Sequence, residues 1–437
     1  MNKGQRLLKI AKKMIPGGNQ LLSKRSEMFL PGLWPAYYKK AVGCKIWDMD
    51  NKQYYDFAGM GVTCCTLGYG NKLLNKKIIA SLKKGNMATL NAYEEVDLAK
   101  EFLKIHKWAN MAKFCKSGGE ASLVSIRIAR AFSKKQNIAF CGYHGWHDWY
   151  LGTNLKNKKN LNNQHLSGLK TVGVSSLYKD TIKPFHYNDI NSLKKLFKNK
   201  NHNIGIIIME PMRSIKPDKD FLKKVRTIAN KNNAVLIFDE ITSGFKDNFG
   251  GIHLKFGVNP DIAIFGKSIA NGYPISVIIG KKKIMNSSQD TFISSTMWTD
   301  RLGFVAALET LKILKKKSIN KKISNLGVKI KTGWKNLAKK NNLDINIMGL
   351  NSVPSFKFNY SKRINLIMST FFTQEMLNYG YLASTTVSTS NSHNEEIVNK
   401  YLKKVDKVFC KIEKFLKTKK FPLKGKVKHD GYYKIKN

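Results

Sequence analysis

The sequence predicts an α/β protein built on a large, mainly parallel sheet. Short apolar runs of four to eight residues recur through the middle of the chain: IAFCGY (138–143), IGIIIME (204–210), AVLIFDE (234–240), IAIFG (262–266) and VIIG (277–280). Amphipathic stretches alternate with them, Glu120 to Lys134 and Asp220 to Asn232 among them. The runs are continuous and rich in Ile and Val, the pattern of strands buried on both faces of a parallel sheet.

The elements follow in chain order. MNKGQRLLKIAKKMIPGG reads as a short basic amphipathic helix without the apolar core of a signal sequence, so a cytoplasmic protein is expected. From Cys44, CKIWDMDNKQYYDF alternates apolar and polar residues on both sides of an Asp-Asn turn and predicts a β-hairpin. Residues 72–107 read as helix with a break near Asn91. The α/β alternation comes next. Beyond it stand a helix (Ile319 to Lys340), two weak strands (Ile345 to Val353, Ser355 to Asn359), two helices (Thr370 to Tyr379, Asn394 to Leu416) and a basic tail. The expected domains are an N-terminal segment 1–60 of a small domain, a large α/β domain 61–318, and a C-terminal α+β part of the small domain, 319–437.

The chain has 437 residues, enough for two or three domains, and a net charge of +48. Such a charge points first to nucleic acid or an anionic surface. Of the 77 basic residues, however, only eight are Arg, the side chain that reads phosphates and bases bidentately. The lysines run from Lys3 to Lys436 with Asn and Ile frequent beside them, which fits a solvated surface better than a binding stripe. Neither nucleic acid nor membrane is therefore expected as a partner, a basic nucleic-acid-binding protein being the remote alternative that the charge leaves. The six cysteines form no CxxC pair, and reduced thiols are the default for a chain of this size.

Three features fall where strands of the α/β region end, the place where open parallel sheets put their ligands. Lys116-Ser117-Gly118-Gly119-Glu120 is a small-residue turn feeding a helix, which suits an anion and equally a plain helix cap. Asp239 ends an apolar strand and needs a protonated partner, or else caps the next turn. Lys267 follows Phe265-Gly266, where apolar surroundings are expected to push an amine toward its neutral, nucleophilic form. A strand-end Asp, a Lys 28 positions later and an upstream Gly-rich helix start are the parts pyridoxal phosphate requires. A metal site at His144, His147 and Asp148 lacks a third ligand with suitable spacing, so no metal is expected. A dinucleotide site at Gly59–Cys64 lacks its third Gly.

SGGEA (117–121), CGYHGWHD (141–148), MEP (209–211), IFDEITSGF (237–245), FGVNPDIAIFGKSIANGYP (256–274) and ISST (293–296) together resemble the motif series of class III, fold type I, pyridoxal-phosphate aminotransferases. The resemblance covers about residues 15 to 410 and is strongest to glutamate-1-semialdehyde 2,1-aminomutase and its transaminase relatives. It implies a small domain built from both chain ends around a central cofactor domain. Lys267 would form the Schiff base with pyridoxal 5'-phosphate, and Asp239 would pair with the pyridine nitrogen. Ser117, Gly118, Gly119 and Thr242 would bind the cofactor, and Tyr143 would stack on its ring. Thr296 would reach the phosphate of a neighbouring subunit in a homodimer. The activity implied is amino transfer between a small-molecule amino donor and a carbonyl acceptor, the alternative being the intramolecular transfer of the aminomutase.

The motif series departs from the aminomutase where substrate should sit. The string from Pro16 to Arg25 lacks its Ser-Pro and brings Arg25, a candidate carboxylate clamp, one position late. Lys246 replaces an Arg, and Ser295-Thr296-Met297-Trp298-Thr299-Asp300-Arg301 replaces a Gly-rich segment. These departures resemble aminomutase-like aminotransferases associated with surface-sugar biosynthesis. Trp34 and Trp298, with Tyr37, Tyr38, Trp146 and Trp149, are candidates to line a pocket for a larger substrate, or else core and interface residues.

Overall fold

The computed structural model describes residues 2–162, 164, 168–418 and 420–431. Its strands, in chain order, are β1 (Tyr38–Val42), β2 (Lys45–Asp48), β3 (Gln53–Phe57), β4 (Met111–Cys115), β5 (Asn137–Cys141), β6 (Ile182–Pro184), β7 (Ile204–Met209), β8 (Val235–Asp239), β9 (Ile262–Phe265), β10 (Ser276–Gly280), β11 (Ile345–Met348), β12 (Ser355–Phe358) and β13 (Tyr381–Ala383). The chain divides into two compact units, one made of residues 1–71 and 321–437, the other of 72–320.

The central unit holds a seven-stranded sheet in the order β4-β10-β9-β8-β7-β5-β6. The pairings β9-β8, β8-β7, β7-β5 and β5-β6 are parallel, and β10 runs antiparallel to both of its neighbours. Alternate residues of each strand face opposite ways. On one face Ile138, Phe140, Ile206, Ile208, Ile237 and Ile264 pack with Ala121, Val124 and Ile128 of the helix Gly118–Ser133. On the other, Ala139, Ile207, Leu236 and Phe238 pack with Leu193 of the helix Ile190–Lys198 and with Leu222 and Val225 of the helix Phe221–Lys231. Both faces are thus covered, which is why these strands read as unbroken apolar runs.

The unit formed by the two chain ends carries the sheet β1-β2-β3-β13 and the hairpin β11-β12. Its core gathers Trp334, Phe356, Phe372 and Phe409, with ring pairs meeting mostly edge to face. The first boundary falls after Asn71, beyond the expected residue 60, because the following loop folds back onto the strands. Asp56 accepts the Ala58 N–H at 2.9 Å and the Tyr69 hydroxyl at 2.6 Å, and Gly43 and Tyr69 exchange backbone bonds of 2.9 and 2.7 Å. No helix among the described residues is long and apolar enough to cross a membrane.

Buried histidines give this fold a pH limit. His393 in the terminal unit is fully buried, donates from Nε2 to the Asp56 carbonyl (3.0 Å) and accepts the Ser390 N–H at Nδ1 (3.1 Å). Burial pushes its pKa from 6.5 down to about 4, and His106 in the central unit is pushed down to about 4 by the same cause. Between pH 6.5 and 4 the unfolded chain takes up protons that the native state refuses, so stability falls as pH drops through that window. Each group contributes a loss of about 3 kcal/mol across it. The urea midpoint is expected to fall between pH 7 and 4.5; a constant midpoint would contradict this account.

Candidate active site

Five parallel-running strand ends converge on one side of the central sheet. Register sets Cys141 of β5 level with Met209 of β7, and Met209 with Phe238 of β8. Beyond these ends come Gly142-Tyr143-His144, Glu210, Asp239 and, after β9, Gly266-Lys267. β4 delivers Lys116-Ser117-Gly118-Gly119 to the same side, since it runs antiparallel to β10, as β9 does.

Asp239 is buried at the end of β8. Its Oδ2 lies 2.8 Å from His144 Nδ1, and its Oδ1 accepts the Ile241 N–H at 3.0 Å. His144 Nε2 faces the Cys141 carbonyl at 3.1 Å. Both ring nitrogens of His144 therefore face acceptors, one on Asp239 and one on the backbone of β5. Asp239 acts both as a turn cap and as a paired buried carboxylate, so the two sequence readings coexist. Its neighbour Glu240 points the other way, where burial raises its pKa but bonds from His253 and Ser243 outweigh that and hold it low.

Lys267 follows β9 with a left-handed backbone (φ 46°), and its Nζ donates to Thr242 Oγ1 at 3.0 Å. The side chain of Ile241, between Asp239 and Thr242, joins the parts. A Cβ on Gly266 would stand 2.9 Å from it, and one on Gly118 would stand 3.0 Å from it. Gly118 and Gly119 open a 16-residue helix whose Ser117 N-cap forms a capping box with Glu120. A Cβ on Gly119 would approach His147 Nε2 to 3.2 Å, and one on Gly145 would meet the Gly119 Cα at 3.0 Å. Two glycines at a helix N-terminus, in a space that side chains would fill, suit a phosphate. An amine and a buried, His-paired carboxylate on adjacent parallel strands suit a pyridine aldehyde, so the set as a whole fits pyridoxal 5'-phosphate.

Tyr143 is half-buried, with its N–H donated to Glu210 Oε2 (3.1 Å). Arg213 grips the same carboxylate at 3.1 and 3.2 Å and lies over the Tyr143 ring, 5.8 Å from its centre. The sequence signalled neither this brace nor the His144–Asp239 pair, because the partners lie 67 and 95 positions apart. The Ser117–Glu120 box was legible as an S-x-x-E pattern.

The substrate candidates divide between the two units, Arg25 and Trp34 in the terminal one and Trp298 in the central one. Trp34 is 8% exposed and stacked on Phe29 at 4.5 Å in the terminal unit. Arg25, in the same unit, lies against Gly17, where a Cβ would come 2.6 Å from its Nη2. Trp298 donates its indole N–H to Glu120 at 3.2 Å and packs against the core beneath the Gly118 helix; its one donor is used within the protein. Trp149 is buried in the core, Trp146 is exposed, and Lys246 is fully buried. Thr296 is exposed at the start of a short turn. The described residues contain no group of three or more His, Cys, Asp or Glu able to hold a metal ion.

Comparison with known proteins agrees with this geometry. Residues 31–387 match the family model of class-III aminotransferases. The chain is 29% identical over 420 residues to the 3-aminobutyryl-CoA aminotransferase of Cloacimonas acidaminovorans, covering 92% of this chain and 97% of that protein. It is 32% identical over 434 residues to the glutamate-1-semialdehyde 2,1-aminomutase of Wigglesworthia glossinidia brevipalpis, covering 94% and 97%. A solved transaminase with PLP bound shares the fold, with a TM-score of 0.83, 21% identity and coverage of 94% and 98%. The chain therefore belongs to the class-III aminotransferase family.

Proposed function

We propose that Lys267 and Asp239 are the catalytic pair of a pyridoxal 5'-phosphate-dependent aminotransferase that moves an amino group between a small-molecule amino donor and a keto or aldehyde acceptor. One observation carries this reading: the amine and the His144-paired carboxylate leave adjacent parallel strands, β9 and β8, beside a Gly-Gly helix start. When bound, the cofactor supplies a ring that accepts the electron pair left behind as the substrate carbon loses its proton.

The protein's own residues do the rest. Lys267 Nζ would hold the cofactor through its amine and, when free, would serve as the base that carries the proton of the substrate carbon. Thr242 Oγ1 holds Nζ in place between these duties. The Asp239 carboxylate would pair with the ring nitrogen, and His144, 2.8 Å from its Oδ2, would hold that carboxylate in orientation. Tyr143, braced by Glu210, covers a ring face. The N–H groups of Gly118 and Gly119, with the Ser117 hydroxyl, take the phosphate.

The partner we propose is a second copy of the chain, with Thr296 reaching the neighbouring site. Support comes from the exposed apolar residues flanking that turn, Phe292 (87% exposed) and Met297 (62%). Nearby segment 86–94, with Leu90 84% exposed, is tied to Arg301 through the Asn86 carbonyl and Glu94.

The test is borohydride reduction of the yellow protein followed by peptide mapping. The label is expected on the peptide containing Lys267, from a particle sedimenting at about twice 49.6 kDa. A protein that stays colourless and unlabelled with added cofactor would remove the catalytic assignment, and a monomer would remove the shared site.

A further inference from the structure

The turn that carries Gly118 and Gly119 is tied to a segment 178 positions away. Glu120 sits in the first helical turn, where a carboxylate beside an anion site would repel the ligand it borders. Its oxygens are directed elsewhere. Oε2 accepts the N–H groups of Ser117 (2.7 Å) and Lys116 (3.0 Å), and Oε1 accepts the Trp298 indole N–H (3.2 Å). A second strut runs beside the first, an ion pair between Lys116 and Asp300 with both side chains largely buried. The far end is anchored in turn, since Arg301 grips Glu94 with three bonds of 2.7 to 3.0 Å. Residues 116–120 and 298–301 thus form one cross-braced unit in which Trp298 holds the only carboxylate oxygen of Glu120 not bound by the turn's own backbone.

We propose that Trp298 is a positioning residue for cofactor phosphate: with Asp300 as a second strut, it draws the Glu120 carboxylate away from the Gly118–Gly119 N–H groups and fixes the turn that presents them. This rests on the phosphate assignment made above. Without the indole N–H, Oε1 loses its partner. The carboxylate can then rotate toward the helix N-terminus, where the same N–H groups and dipole that would hold a phosphate attract it. The carboxylate then competes with the ligand for one set of donors. The effect is confined to the phosphate end, because Asp239 ends β8 while Thr242 and Lys267 lie in the turns that follow β8 and β9.

The experiment titrates apo-protein with pyridoxal 5'-phosphate and, separately, with pyridoxal, following absorbance of the bound cofactor. Trp298→Phe keeps the ring and removes the donor, and Asp300→Asn weakens the second strut. Each is expected to raise the Kd for pyridoxal phosphate about tenfold, the usual scale for a residue orienting a ligand's direct contacts. Pyridoxal, which lacks the phosphate, should bind wild type and variants alike. A variant that weakens both ligands equally has a general structural defect and overturns the proposal, as does a Trp298→Phe protein that keeps wild-type preference for the phosphorylated form. Should wild type itself bind the two ligands equally, the phosphate assignment fails instead.

Discussion

Replacing Lys267 by Ala is expected to reduce turnover by about 10⁴-fold or more, because the proposed function gives this one side chain both tasks, holding the cofactor and moving the proton. The geometry leaves no substitute. Lys116 is committed to Asp300, and Lys246 is fully buried. Lys267→Arg should be nearly as inactive, since a guanidinium stays protonated and presents no nucleophilic amine. Both variants should keep the wild-type circular dichroism spectrum, because the change is confined to one side chain beyond the end of β9, whose amine donates to Thr242 at 3.0 Å. The Ala variant should lose its colour on gel filtration, and small exogenous amines should restore part of the activity. Turnover within tenfold of wild type would show that the reacting amine lies elsewhere.

The second large effect belongs to Asp239. Asn has the same shape and no charge, so Asp239→Asn is expected to lower kcat by about 10²- to 10³-fold, the usual cost of removing one preorganised electrostatic contact. That corresponds to about 3 to 4 kcal/mol of barrier. KM for the donor should change little, since the role proposed for Asp239 is at the ring nitrogen rather than at the substrate, and an effect on KM alone would contradict the assignment. His144→Gln should cost about tenfold, as it removes the imidazole paired with Asp239 but leaves the carboxylate held by the Ile241 N–H at 3.0 Å.

Where the sheet is covered on both faces, the sequence spoke plainly: β5, β7, β8 and β9 are unbroken apolar runs. The edges were silent. β4 has the sequence MAKFC with three half-buried residues, and β6 is only three residues long, so neither forms an apolar run. The direction of β10 could not be read either, since an apolar run carries no polarity. The site divides in the same way. Lys267, Asp239 and the Ser-Gly-Gly turn were legible because each sits at a strand end with a distinctive residue type. His144 and Glu210 stood in motifs, but their bonds to Asp239 and Tyr143 exist only once β5, β7 and β8 are side by side. The tryptophans stayed ambiguous in the sequence because a large aromatic fills a core as readily as it lines a pocket.

The left-handed backbone at Lys267 has a consequence for engineering. A branched or long side chain in that conformation costs about 1 to 2 kcal/mol that Gly or Asn would largely avoid. Heat resistance and activity therefore pull in opposite directions at a single codon. A variant library sorted on melting temperature alone would enrich the wrong residue at position 267 and discard the enzyme while appearing to improve the protein.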